Sequence, residues 1–484
     1  MSPSKPPLAV IVLAAGGGTR MKSATPKVLH RIGGRTLLAH AVTAARGLHP
    51  EHLVVVVRNG REQVAAELAE VAPDAVLAEQ DEVPGTGRAA ECGLEALPAG
   101  ADGTVLVTMG DVPLLTTATL ATLAEVHGAG AAATVITAEL ADPTGYGRIL
   151  RDDTGQVVGN VEQKDATPDQ QAISEINSGL YAFEAALLRR ALGRVGRTNA
   201  QSERYLTDVL ALIRDEGGTI ATLSVDDIWQ LEGVNDRVQL ARLGAELNRR
   251  IVEGWMRAGV TVVDPATTWI DADVSLGTDV TIYPQTQIHG ASTIGSDVSI
   301  GPDTTLTDVD IGDGACVVRT QGSLAVVGAG ANVGPFAYLR PGTTLGAASK
   351  VGTFVETKNA ELSAGAKVPH LSYVGDAEIG AGTNVGAGTI FANYDGAAKH
   401  HTVLGAHCKI GSNNTFVAPV RIGDGAATGA GTVVRRDVRP GDLSVSAGPQ
   451  RDIDRWVLRK RAGTAAADAA TKALDADATE RGES

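Results

Sequence analysis

The chain has 484 residues, too many for one ordinary domain, and a net charge of −14 with no basic block in its body, which argues against a general nucleic-acid binder or a ligand of anionic membranes. No window approaches the ~18 apolar residues of a membrane span, and residues 1–7 lack the apolar stretch of a secretory signal. The three cysteines, Cys92, Cys316 and Cys408, are far apart and without metal-ligand spacing, as in a reducing compartment, so a soluble cytoplasmic protein is expected.

Near-continuous apolar runs at 8–13, 53–57, 104–109 and 132–138 predict parallel strands covered on both faces. Helical stretches such as 36–47 and 61–69 lie between them, so residues 1–237 read as an α/β domain with a mostly parallel sheet. In 236–258, Leu240, Leu243, Leu247, Ile251 and Trp255 recur at spacings of three and four without Pro, which predicts one long helix, and 238–258 reads as a linker.

From 259 onward the period becomes six. Ile270, Leu276, Ile282, Ile288, Ile294, Ile300 and Leu306 keep it without a miss, as do Val327, Val333, Leu339, Leu345 and Val351, then Leu404, Ile410, Phe416 and Ile422. Neither a helix nor a flat strand has that period. A coil with three equal sides does, because it turns one such residue inward on every side. Glycine after many of these positions, 58 glycines in all and only 3% aromatics fit a core of small residues. The period breaks at 315–324 and 391–402, and loops leaving a solenoid often carry function. Beyond about 463 the Ala/Asp/Thr/Glu-rich end of this 259–484 region reads as a disordered tail.

Chemistry begins right after the first strand. Gly16-Gly17-Gly18 makes a turn whose backbone N–H groups can approach phosphate oxygens, and Arg20 and Lys27 add cations for charge developing on a leaving pyrophosphate. The turn is no Walker A loop, since no Gly-Lys-Ser/Thr follows, and Met21 stands where G-x-G-x-x-G needs its last glycine. A Gly-rich turn alone is also compatible with a purely structural role. Asp111 ends a strand at the carboxyl end of a parallel sheet, where ligands bind and Mg²⁺ can be held, although such an Asp also serves as a helix cap.

The whole string Leu-x-x-Gly-x-Gly-Thr-Arg-Met with Pro26-Lys27 resembles the sugar-1-phosphate nucleotidylyltransferase fingerprint. That resemblance implies contacts to UTP and the UDP-sugar product from Leu13, Ala14, Ala15, Gly16 and Lys27, with uracil read by Gln80, Gly85 and Thr86. It further implies that Gly147 (in Gly-Tyr-Gly-Arg), Glu162 and Asn177 hold an N-acetylhexosamine, and that Asp111 and Asn235 hold Mg²⁺. The reaction implied is in-line attack of a sugar 1-phosphate oxygen on the α-phosphorus of UTP, catalysed by Arg20 and Lys27 through positioning and charge neutralisation.

In the coil, residues outside the repeat gather between 340 and 394: Arg340, Glu356, Lys358, His370, Tyr373, Asn384, Asn393 and Tyr394. The strings Leu-Arg-Pro-Gly, Val-Glu-Thr-Lys-Asn, His-Leu-Ser-Tyr-Val-Gly-Asp-Ala-Glu-Ile-Gly and Asn-Tyr-Asp-Gly resemble the bifunctional N-acetylglucosamine-1-phosphate uridylyltransferase/glucosamine-1-phosphate acetyltransferase family. With the N-terminal motifs, the likeness spans residues 8 to about 450. It implies a Rossmann-like nucleotidyltransferase domain followed by a left-handed parallel β-helix of hexapeptide repeats. An ammonium must lose a proton before its nitrogen attacks a thioester, and an imidazole titrates in the right range, so His370 is the candidate base with Glu356 orienting its ring. The resemblance puts glucosamine 1-phosphate on Arg340, Lys358, Tyr373 and Asn384, and acetyl-CoA on Ala387, Asn393, Tyr394, Ser412 and Ala430. It implies a homotrimer with acetyl sites between subunits and a product that feeds cell-wall synthesis.

One departure is Ala447, where many members carry an arginine for CoA phosphate; Arg451, Arg455, Arg459, Lys460 and Arg461, with Trp456 for stacking, are candidate substitutes or simply a solvated face. Two rival readings remain. A single-function nucleotidylyltransferase with a scaffold β-helix leaves the coincidence of Arg340, Lys358, His370 and Tyr373 unexplained. A non-catalytic binding protein predicts loss of Arg20, Lys27, Asp111 or Asn235, and all four are present.

Overall fold

The computed structural model describes residues 6–446 and 448–480; the segment before Pro6, Ala447 and the last four residues lie outside it. The chain forms two compact units, Met1–Pro341 and Gly342–Ser484, each taken by itself.

The first unit opens with an α/β sandwich. In chain order come β1 (Ala9–Leu13), α1 (Leu37–Arg46), β2 (His52–Val57), α2 (Arg61–Val71), β3 (Val76–Glu79), α3 (Thr86–Glu95), β4 (Thr104–Met109), α4 (Thr117–Gly128) and β5 (Ala133–Glu139). After these follow β6 (Gly147–Arg151), β7 (Val157–Val161), β8 (Glu175–Glu184), α5 (Asp208–Asp215), β9 (Ile220–Ser224) and α6 (Arg237–Arg257). The main sheet runs β9-β5-β8-β4-β1-β2-β3, parallel except for β8, which is antiparallel to both neighbours. All four predicted strands are present, and β1 is buried at every position, as an all-apolar central strand demands. The β6–β7 hairpin, attached to β8 through β6, does not follow from the sequence reading, because its polar positions hide its alternation.

Helix α6 is the long helix expected over 236–258. Asp236 caps it, its carboxylate accepting from Val238 N at 2.9 Å and Gln239 N at 2.8 Å. Asn248 then donates to Thr268 O and accepts from Ile270 N, bolting the helix to the first coil. Arg35 pairs with Asp273, and Ala272 N donates to Gly33 O, so the first coils pack with the α/β part as one unit.

Each coil has three sides. Ile270 pairs with Ile288, Leu276 with Ile294 and Ile282 with Ile300, eighteen residues on in each case, so three hexads make one turn of a parallel β-helix. At the first break the coil tightens: Leu306 pairs with Gly322, sixteen residues on. In the second unit the same geometry recurs, and at the second break Ile379 pairs with Leu404, twenty-five residues on, so a loop leaves the coil between them. Phe391 and Phe416 pack inside as a tilted pair with ring centroids 5.1 Å apart. The expectation of a disordered tail from about 463 is corrected: Ala465–Glu480 is helical. Its run of alanines without Gly or Pro has strong helix propensity, which the compositional reading overlooked. Cys92, Cys316 and Cys408 are free thiols.

Candidate active sites

In the first unit, β1 and β4 end side by side, and the chain turning away from β1 frames a cavity of about 300 Å³. Leu13, Ala14, Ala15, Gly16, Lys27, Gln80, Gly85, Thr86 and Asp111, all predicted from sequence, line it. Lys27 Nζ forms an ion pair with the Asp111 carboxylate, both side chains mostly shielded from solvent. Met21, where a dinucleotide fingerprint has glycine, is buried against Leu37, Leu114, Val234 and Leu243. It anchors the Gly-rich turn from below, which is why this loop needs no third glycine.

The far wall is built on Gln80, whose Nε2 donates to Val83 O at 2.8 Å and Gly85 O at 3.1 Å. Those bonds fix which way the amide faces. Gly85 starts α3 at φ +118°, and a Cβ there would lie 2.2 Å from Arg204 O, so only glycine fits. Thr86 Oγ1 accepts from Leu206 N at 3.1 Å, clasping the segment to 204–206. Arg58 and Glu203 also line the cavity and were missed. Arg58 follows the all-valine end of β2, at the carboxyl edge of a parallel sheet, which is the signal that points to it.

Asn235 stands beside this cavity. Its Oδ1 accepts from Arg20 Nη2 at 2.9 Å, while Val234 N donates to Asp111 O at 2.9 Å. The backbone bond brings the two residues assigned to Mg²⁺ near one another, and the side-chain oxygen of each already faces a protein cation, Lys27 for Asp111 and Arg20 for Asn235. A carboxylate and an amide oxygen suit a hard cation that keeps phosphate and water ligands; among the described residues no cluster of three or more His, Cys, Asp or Glu forms a dedicated cage. The residues fit Mg²⁺.

Gly147, Glu162 and Asn177 form a second cluster. Gly147 pairs with Asn177 across β6 and β8, and Tyr181 donates its phenol to Asn177 Oδ1 at 2.9 Å. Burial pushes the Glu162 carboxyl above its ordinary range, Asn160 and Thr207 opposing the shift and Asp208 and Asp165 adding to it. A Cβ on the adjoining Gly179 would lie 3.2 Å from Met109 Cε, which lines the cavity, so cluster and cavity adjoin.

In the second unit, strand Glu356–Leu362 pairs with Tyr373–Ile379, bringing Glu356 opposite Tyr373 and Lys358 opposite Gly375. Strand Lys367–His370 lies on another side of the coil, where His370 faces Thr353. Glu356 therefore stands opposite Tyr373, while the exposed His370 lies on another side of the coil. Asn393 donates to Tyr373 Oη at 3.5 Å and to the Asp376 carboxylate, which Asn359 also holds at 2.7 Å. Burial alone raises the Asp376 carboxyl, but those two amides together with the charges of Lys358 and Lys399 outweigh it and hold it below its ordinary range.

Asn384 is exposed on a rung between Lys367 and Lys409. Ala387, Ser412 and Ala430 occupy successive corners, joined by Asn413 N to Ala387 O at 2.7 Å and Gly431 N to Ser412 O at 2.8 Å. Tyr394, 61% exposed, tips the loop that leaves the coil. Arg340 belongs to the first unit. Ala447 lies outside the described residues, and the face of Trp456 is covered by Arg461, 5.0 Å from its ring centre. No helix among the described residues is long and apolar enough to cross a membrane.

Comparison with known proteins adds two family models: a MobA-like NTP transferase domain over residues 10–173 and six bacterial transferase hexapeptide repeats over 401–436. The chain is 62% identical over 470 residues to the bifunctional protein GlmU of Kineococcus radiotolerans, covering 97% of this chain and 96% of that one. It is 60% identical to the bifunctional protein GlmU of Mycolicibacterium vanbaalenii over 95% of this chain and 94% of that one. A third relative, from Pseudarthrobacter chlorophenolicus, is 57% identical over 97% of this chain and 96% of its own.

Proposed function

This chain belongs to the bifunctional GlmU family, and on that premise we propose how its two activities are divided. It is a bifunctional transferase, an α/β nucleotidyltransferase domain followed by a left-handed β-helix of hexapeptide repeats. The β-helix transfers acetyl from acetyl-CoA to glucosamine 1-phosphate, and the α/β part transfers uridylyl from UTP to N-acetylglucosamine 1-phosphate with release of pyrophosphate. The scaffold-only reading of the β-helix gives way, because the likeness to bifunctional relatives runs through both parts at nearly full length.

The observation that carries the uridylyl assignment is the convergence of Gln80, the Gly16 turn and the Lys27–Asp111 pair on one cavity. Gln80 Nε2 is occupied by backbone carbonyls, which leaves Oε1 as an acceptor suited to the N3–H of uracil. Lys27 and Arg20 neutralise charge as a sugar phosphate oxygen attacks the α-phosphorus and pyrophosphate departs. Mg²⁺ held by Asp111 and Asn235 would add charge neutralisation on the phosphates. Gly147, Glu162 and Asn177 bind the sugar.

In the β-helix, His370 takes the proton from the substrate ammonium; the freed amine attacks the thioester carbonyl and CoA leaves as the thiolate. Glu356 orients the His370 ring, Arg340, Lys358, Tyr373 and Asn384 bind the amino sugar phosphate, and the corner row Ala387, Ser412, Ala430 with Asn393 and Tyr394 binds acetyl-CoA. Phe354 and Leu371, 57% and 59% exposed on adjacent coils, support a homotrimer formed through the β-helix. The enzyme works in the cytoplasm. Purified protein given N-acetylglucosamine 1-phosphate, UTP and Mg²⁺ should release pyrophosphate, and given glucosamine 1-phosphate and acetyl-CoA should release CoA. Pyrophosphate without any CoA would return the β-helix to a scaffold.

A further inference from the structure

Asn160 enters no motif, yet it sits among the residues assigned to the sugar. In the β6–β7 hairpin it pairs with Ile149, and Gly147 pairs with Asn177 across β8, so register puts Gly147, Ile149, Asn160 and Asn177 on one face. Asn160 Nδ2 donates to Glu162 Oε1 at 3.1 Å. A carboxylate only accepts, so the amide is pinned with its carbonyl turned the other way. That carbonyl is aimed at Gly147, where an ideal Cβ would lie 2.6 Å from Asn160 Oδ1. Oδ1 is sealed from solvent and has no hydrogen-bond partner.

A buried acceptor without a donor is unfavourable, and an apolar side chain opposite buried Ile149 would avoid the penalty. We propose that Asn160 is a further substrate-binding residue of the uridylyl site, its Oδ1 accepting a hydrogen bond from a hydroxyl or amide N–H of the sugar while its Nδ2 holds Glu162 in place. The hydrogen-bonding inventory agrees: a hexosamine offers donors, Gly147 leaves room for the Asn160 amide, and Asn160 supplies the missing acceptor. This rests on the assignment of Gly147, Glu162 and Asn177 to the sugar.

The test is Asn160→Leu, nearly isosteric and without polar atoms, assayed by pyrophosphate release with separate KM values for N-acetylglucosamine 1-phosphate and UTP. The KM for the sugar should rise roughly five- to hundredfold, the loss of one buried hydrogen bond, with the KM for UTP within about twofold of the parent. The ligand-free variant should melt close to the parent, the shed acceptor offsetting the donor that Glu162 loses; a residue that merely shapes the hairpin would instead lower the melting temperature markedly and disturb both KM values. Should the leucine fail to fold, Asn160→Ser reads the same pair of KM values. An unchanged sugar KM, or an equal rise in both, overturns the inference while leaving the uridylyl assignment standing, provided the parent turns over both substrates. A parent inactive with this sugar overturns both.

Discussion

Lys27 and Asp111 meet at the mouth of the cavity, and each shields the charge of the other until phosphate arrives. A cation aimed at developing phosphate charge is worth far more in the transition state than in the ground state, so Lys27→Ala should lower uridylyl kcat by roughly 10²–10³. CoA release should stay at the parent rate, measured on the same sample. Glu162 behaves differently. Its carboxyl is held above the ordinary range, so the folded state binds that proton more tightly than the unfolded state does. The stability this supplies is full at acid pH and is lost as pH rises through the folded-state titration. Glu162→Gln keeps the shape and drops the charge. Thermal melting should therefore show the variant above the parent at pH 8, the gap closing as pH falls below the usual glutamate range, while the KM for the sugar worsens. Both residues were legible in the sequence because they sit in motifs; Asn160 and Arg58 were not, because single polar residues flanking strands carry no period.

At the level of elements, the six-residue period made the coil legible, and the pairing of Ile282 with Ile300 is what it foretold. The breaks were legible only as breaks. The period points from Leu306 to Leu324, and only the structure reveals a coil shortened by two residues there, with Gly322 in the paired place. The β6–β7 hairpin and β8 are hard to read from sequence because their paired positions include the polar Asn160 and Asn177, which break the apolar alternation. The tail helix is hidden in a composition typical of disorder, because it rests on the helix propensity of its alanines. Tight stacking between rungs also sets a limit on side-chain size. A Cβ on Gly352 would lie 2.0 Å from Pro369 O, a backbone atom of the strand that carries His370. Gly352→Ala should cost about 1–3 kcal/mol in stability and weaken acetyl transfer before uridylyl transfer, read by melting and by CoA release.

For the whole molecule, the account requires that acetyl transfer depend on assembly and uridylyl transfer much less so. Phe354 and Leu371 both hold left-handed backbone, φ +56° and +48°, and both expose large apolar side chains. Replacing both with Glu should leave monomers by light scattering, with CoA release lost and pyrophosphate release retained. The central claim, two independent active sites on one chain, is tested most directly by mixing. His370→Ala and Asp111→Ala are each given glucosamine 1-phosphate, acetyl-CoA, UTP and Mg²⁺, alone and together, with CoA, pyrophosphate and the UDP-sugar followed separately. The account predicts pyrophosphate only from pre-acetylated sugar with the first variant, CoA only with the second, and the UDP-sugar restored when the two are combined. Failure of the first variant to release pyrophosphate from N-acetylglucosamine 1-phosphate, or of the second to release CoA from glucosamine 1-phosphate and acetyl-CoA, would contradict it.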